Sequence, residues 1–163
     1  MKTPARIFGH PIHPMIIPFP FALWTFSLIA DLIYYFGNHD YVWVNVAFYT
    51  LAGGLVGGLL AAIPGIADYF SIRDRKVSSI AAWHARFNVT ALLSFAASFY
   101  LRTASGSRMV NGSLTIPVLL SAFGFLLIGV SGWLGGELVY KHHVGVEMPG
   151  EAGDDARYPR RAA

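Results

Sequence analysis

The chain has 163 residues, of which 55% are hydrophobic and only 13% charged, with a formal net charge of +3. Charged residues run nearer a quarter in soluble domains, so this composition places the chain among membrane proteins. The absence of cysteine excludes disulfides, thiolate metal sites and a cysteine nucleophile. Basic residues sit in short loops and tails beside apolar runs, where they act as topology signals. No nucleic-acid partner is expected.

Residues 1–11 read as a cytoplasmic arm. The motif Gly9-His10-Pro11-Ile12-His13-Pro14 puts a proline after each histidine, which biases both toward extended geometry. It predicts a stiff, non-helical entry into the membrane. The first apolar segment runs from about Ile12 to Phe36. It is too long for a signal peptide, is interrupted by Pro18 and Pro20, and has no small-residue cleavage site before Asp31, so its retention is expected. The second segment covers about Val42 to Phe70, the third Ser79 to Leu101, and the fourth Leu114 to Tyr140. Each reaches the ~20 residues that cross a hydrocarbon core. The pattern predicts an all-α, four-helix transmembrane bundle over residues 12–145 and a disordered polar tail over 146–163.

Four crossings put both termini and the loop between the second and third spans on one side. That side carries Lys2, Arg6, Arg73, Arg75, Lys76, Arg86, Lys141, Arg157, Arg160 and Arg161, against only Arg102 and Arg108 opposite. The bias predicts cytoplasmic termini and a multi-pass protein of a bacterial inner membrane. Gly53, Gly54, Gly57 and Gly58 on the second span, and Gly124, Gly129, Gly132, Gly135 and Gly136 on the fourth, permit close helix approach. Packing within the bundle is the expected use, with a homo-oligomer through these faces as the alternative. Gly57 and Gly132 are both expected at close contacts. Pro64 and Pro117 are expected to kink or cap their helices.

Ionisable groups in a lipid-embedded bundle are costly and tend to mark function. His10, His13, His84, His142 and His143 all fall at span ends on the terminal side, whereas His39 lies alone opposite. His84 and Asn88 share one helical face, with Arg86 to the side. Glu137 precedes His142 on the fourth span, and Asp68 lies near the end of the second. The expected site therefore gathers His10, His13, His84 and His142, with Glu137 and Asp68 as ligands or partners. Asp31 is expected to bond a neighbouring helix, at Asn45 or Tyr49. Tyr34, Tyr35, Trp43, Trp83 and Trp133 read as interfacial belts.

The ordered stretches GHPIHPMIIPFP, PGIADYF, WHARFN and SGWLGGELVYKHHVGV resemble the DUF2231 bacterial membrane proteins over roughly residues 8 to 146. The resemblance implies a four-helix membrane domain. Some such proteins carry a C-terminal Rieske iron–sulfur domain, which implies redox work. In those fused members the position matching Glu137 is often histidine, and the glutamate here departs from that pattern.

Two cofactor chemistries suit these residues. Haem b needs axial imidazoles on facing helices; His84 opposite His13 or His142 would supply them, with Arg86, Arg75 or Lys76 near the propionates. A transition metal such as zinc, iron, manganese or copper would take the imidazoles with Glu137 or Asp68. Either would serve electron transfer to a redox partner or quinone. The alternative is a non-catalytic membrane subunit or scaffold whose polar cluster locks the bundle, and a transporter is a weaker option.

Overall fold

The computed structural model describes residues 3–111 and 113–146. The expectations for residues 1–2 and for the tail beyond 146 lie outside these. The chain opens with a small antiparallel hairpin, β1 (Arg6–Ile7) paired with β2 (His10–Pro11). Helices α1 (Ile12–Ile16), α2 (Pro18–Phe36), α3 (Tyr41–Ser71), α4 (Arg75–Ala104) and α5 (Thr115–Tyr140) follow. Ile17 keeps helical torsions and its N–H bonds His13 O, so α1 and α2 form one continuous rod. Four rods make an all-α bundle, in which α2 packs most extensively on α3 and α4 on α5.

His10 is extended, as the proline rule expects, but His13 is not. It lies in the first turn of α1, where Pro14 needs no N–H partner because that turn's donors have none within the helix. The entry to the membrane is therefore helical. Pro117 likewise occupies the first turn of α5, whereas Pro64 lies inside α3.

Three rods, Ile12–Phe36, Tyr41–Ser71 and Thr115–Tyr140, are long and apolar enough to cross a membrane by length and composition. The remaining rod, α4, is long enough at 30 residues but carries too many polar groups to meet the same measure. Several of them, His84, Asn88, Ser94, Ser98 and Arg102, lie on its inner face, whereas Arg75, Lys76 and Arg86 are exposed. Val77, Ala81, His84, Asn88, Ala91, Phe95, Ser98 and Arg102 recur every three or four residues and turn away from the exposed Trp83, Val89, Leu93 and Tyr100. The buried stripe of α5 follows the same rhythm through Pro117, Ser121, Gly124, Ile128, Ser131 and Leu138. Small and polar side chains thus line the seam between these helices, and large apolar ones face outward, as lipid favours.

Glycine use is more selective than its stripes suggest. A Cβ at Gly58 would lie 2.6 Å from Trp24, and one at Gly124 2.9 Å from Phe95. Gly57 meets Pro20 at 3.2 Å, the expected close contact. Gly132 corrects the other expectation: it meets nothing within 4 Å, as do Gly129 and Gly136. The helical phase that buries Ser131 turns these three outward.

At the N-terminus of α4 the Asp74 carboxylate caps the helix, accepting from Lys76 N at 2.9 Å and Val77 N at 3.0 Å. The Val77 N–H bond does most to hold its pKa below the ordinary carboxylate value, and desolvation opposes it; the Lys76 N–H and nearby His142 also lower it. A lowered folded pKa means that the cap's stabilisation is fully present above the ordinary value and is lost as pH falls through the lowered one. Hydrogen-exchange protection of the Lys76 and Val77 amides, taken relative to mid-helix, is expected to decline across that acid window. Asp74→Asn should flatten the decline, and an unchanged pH profile in that variant would refute the cap.

Candidate functional site

One end of the bundle collects both ends of the described chain. Ala5 N donates to Asp68 at 3.1 Å, and Arg6 Nη2 donates to Gly145 O at 3.1 Å. These bonds tie the hairpin to the ends of α3 and α5, and the hairpin leads directly into α1, which carries His13.

His13 Nδ1 meets Ala61 O of α3 at 2.7 Å. A carbonyl only accepts, so Nδ1 carries the proton and a neutral ring keeps its lone pair on Nε2. Pro64 in the same turn of α3 has no N–H to offer the carbonyl of Leu60, the residue before Ala61. Gly65 leaves room for the ring, since a Cβ there would sit 2.8 Å from His13 Cε1 and Nδ1.

His84 is held the same way from the opposite side. Its Nδ1 donates to Ser131 O of α5 at 2.8 Å, and Ser131 Oγ lies 3.0 Å from the same nitrogen. That hydroxyl donates in turn to His84 O at 3.2 Å. Asn88 Nδ2, one turn along α4, donates to His84 Nε2 at 2.9 Å. A Cβ at Gly135 would lie 3.2 Å from His84 Cε1, so glycine makes room for this ring too. The two imidazoles meet nearly perpendicular, with centroids 6.2 Å apart.

The other residues expected at the site have different partners. His10 is exposed on β2. Asp68 anchors the arm through Ala5 N. Glu137 pairs with Lys141 at 3.2 Å and lines an open groove of about 290 Å³ with Trp133, Gly136 and Tyr140. His142 lies past the end of α5 near Asp74. Arg86 is exposed and lies over the Trp83 ring, 4.9 Å from its centroid. Among the described residues, no group of three or more His, Asp or Glu side chains is placed to hold a metal ion. The bundle brings together His13 and His84, with Asn88 and Ser131 around them. Asn88 was legible from its spacing to His84; Ser131, Ala61 O, Gly65 and Gly135 depend on helical phase.

A second polar centre lies toward the opposite end. Arg102 Nη1 and Nη2 donate to Asp31 Oδ1 and Oδ2 at 3.0 and 2.6 Å, and both side chains are 0% exposed. Arg102 Nε reaches Ser98 Oγ at 3.4 Å, and Ser98 Oγ contacts Pro117 O at 2.8 Å and Ser121 Oγ at 3.0 Å. The expected partner of Asp31, Asn45 or Tyr49, is thereby corrected: Tyr49 OH instead accepts from Arg108. Arg102 belongs to the bundle interior, not to the loop. A forked guanidinium saturates a carboxylate better than an amide or a phenol does, and buried charges in lipid persist when paired.

A helical bundle with lipid-facing apolar surfaces and a polar interior seam defines a multi-pass membrane protein, with two opposed imidazoles at one end. The family model described as "Predicted membrane protein (DUF2231)" matches residues 9–148, and the chain belongs to that family. No curated protein and no solved structure matches it.

Proposed function

We propose that the His13–His84 pair is the functional centre and that it binds haem b, or a single transition-metal ion between two imidazoles, in a redox role. The observation that carries this reading is the matched orientation of the rings. Each donates Nδ1–H to a backbone carbonyl of a different helix, the arrangement that fixes the tautomer of ligating histidines and raises their basicity. The two rings lie with centroids 6.2 Å apart, so one bound group would be held by an imidazole from each. The donor set fits a bis-imidazole centre and does not fit a three- or four-ligand protein site. His13 and His84 would hold the group, Asn88 turning from Nε2, and the bound group would supply one-electron chemistry. A quinone or a protein redox partner would exchange the electron. The basic residues around the terminal end support a cytoplasmic orientation in a bacterial inner membrane; with Arg102 buried in its ion pair, the opposite loops retain Arg108 alone of the two basic residues counted there.

The second reading is a non-catalytic subunit whose cluster latches the bundle. It is favoured by Asn88, which with Ser131 satisfies every polar atom of the His84 ring within the protein. The absorption spectrum of protein purified from haem-replete cells, with metal analysis, separates the two. The expected result is a Soret band, or one metal per chain, that disappears in both His13→Ala and His84→Ala. Wild-type protein with neither, or full cofactor content in His84→Ala, would transfer the assignment to the latch.

A further inference from the structure

The N-terminal hairpin carries a residue that the fold itself does not explain. Phe8 is 98% exposed and stands at the turn with φ of +49°, followed by Gly9 at +83°. Two consecutive left-handed residues make the tight turn that suits paired strands, and asparagine, aspartate or glycine takes its first position most easily. Phenylalanine there is strained, and at this exposure its ring gains nothing from the chain. The neighbouring Ile7 is also exposed.

Covalent reach limits what can cover them. Pro11 precedes Ile12, where the apolar stretch Ile12–Phe36 begins. The two-residue strand β2 rises only ~7 Å, about the thickness of one headgroup layer, roughly 5–8 Å. Bonds from Ala5 to Asp68 and from Arg6 to Gly145 hold the hairpin at this level. Met15 and Phe19, the next exposed large apolar side chains along the chain, lie on the first rod. We propose that Ile7 and Phe8 form an interfacial anchor, with the hairpin tip inserted at the boundary between headgroups and acyl chains of the membrane the helices cross. Its occupant is lipid, and the anchor fixes the arm that leads to His13.

The chain has no cysteine, so Phe8→Cys accepts a single nitroxide label without further engineering. In vesicles of phosphatidylethanolamine and phosphatidylglycerol, its collision rates with oxygen and with a water-soluble nickel chelate report depth. Leu60→Cys gives the lipid-facing reference and Arg73→Cys the aqueous one; both positions are exposed. The label at position 8 is expected to favour oxygen several-fold over the label at position 73, at a depth between the two references. Accessibility equal to that at position 73 would overturn the anchor. So would a label shielded from both reagents at high protein density and freed by dilution with lipid, because that would put a second copy on the tip. Far-ultraviolet circular dichroism matching the wild type confirms that each labelled protein is folded.

Discussion

Replacing Arg102 by leucine is expected to cost the bundle about 3–5 kcal/mol, because it leaves the Asp31 carboxylate charged, buried and unpaired. Both side chains are 0% exposed, and the bidentate contact is the one ion pair joining α2 to α4 among the described residues. The loss would extend to Ser98, which links Arg102 to Pro117 O and Ser121 on α5. Asp31→Leu should be comparably damaging, since it strands a guanidinium. The double replacement is the informative case. Two leucines remove both desolvation costs together, and apolar substitutes for a buried pair are often neutral or better. Thermal unfolding in one detergent is therefore expected to show two strongly destabilised single variants and a double variant recovering most of the loss. Single variants that melt like wild type would show that the pair is solvated.

That ion pair shows where sequence reading ends. A hydropathy count treats a charge as the end of a span and so ends the third segment at Leu101, whereas α4 continues to Ala104 with Arg102 turned inward. Pairing across 71 residues leaves no local trace. Crossing number, by contrast, was legible, and it correctly brought His13 and His84 to one end. It also gathered His10, His142, Glu137 and Asp68 near that end, but shared depth is not shared direction. Direction depends on helical phase, and α5 is apolar nearly all round, so it offers no amphipathic contrast. A usable signal was present in inverted form. In lipid the interior stripe is the small and polar one, and Ser121, Gly124, Ser131 and Gly135 on α5 match His84, Asn88, Ser94 and Ser98 on α4. Reading that stripe as the core would have turned Gly132 outward and Ser131 toward His84.

Gly58→Leu is expected to abolish the folded bundle, and Gly58→Ala to destabilise it by about 1–3 kcal/mol, the range for overpacking a tight core. One packed layer sets both effects. Gly54 and Gly58 of α3 form a flat surface on which Trp24 of α2 lies; a Cβ at Gly54 would run into the indole edge, and one at Gly58 would come within 2.6 Å of Cη2. The indole cannot retreat, because it stacks on Phe95 of α4 at 4.4 Å and 11°. Phe95 cannot retreat either, since Gly124 of α5 lies behind it, where an added Cβ would be 2.9 Å from the ring. Two rings thus fill the space between glycines on opposite helices, with Leu51, Ala91 and Ile128 closing the layer. Added volume has nowhere to go except into helix separation. Gly132→Leu is the internal control. Its Cβ meets nothing within 4 Å, so the expected change stays within about 0.5 kcal/mol. Trp24→Leu should partly rescue Gly58→Ala by shrinking the facing side chain. Thermal melts in one detergent decide the matter: if Gly58→Ala melts with the wild type, or Gly132→Leu melts far below it, the rings and glycines do not set the helix spacing.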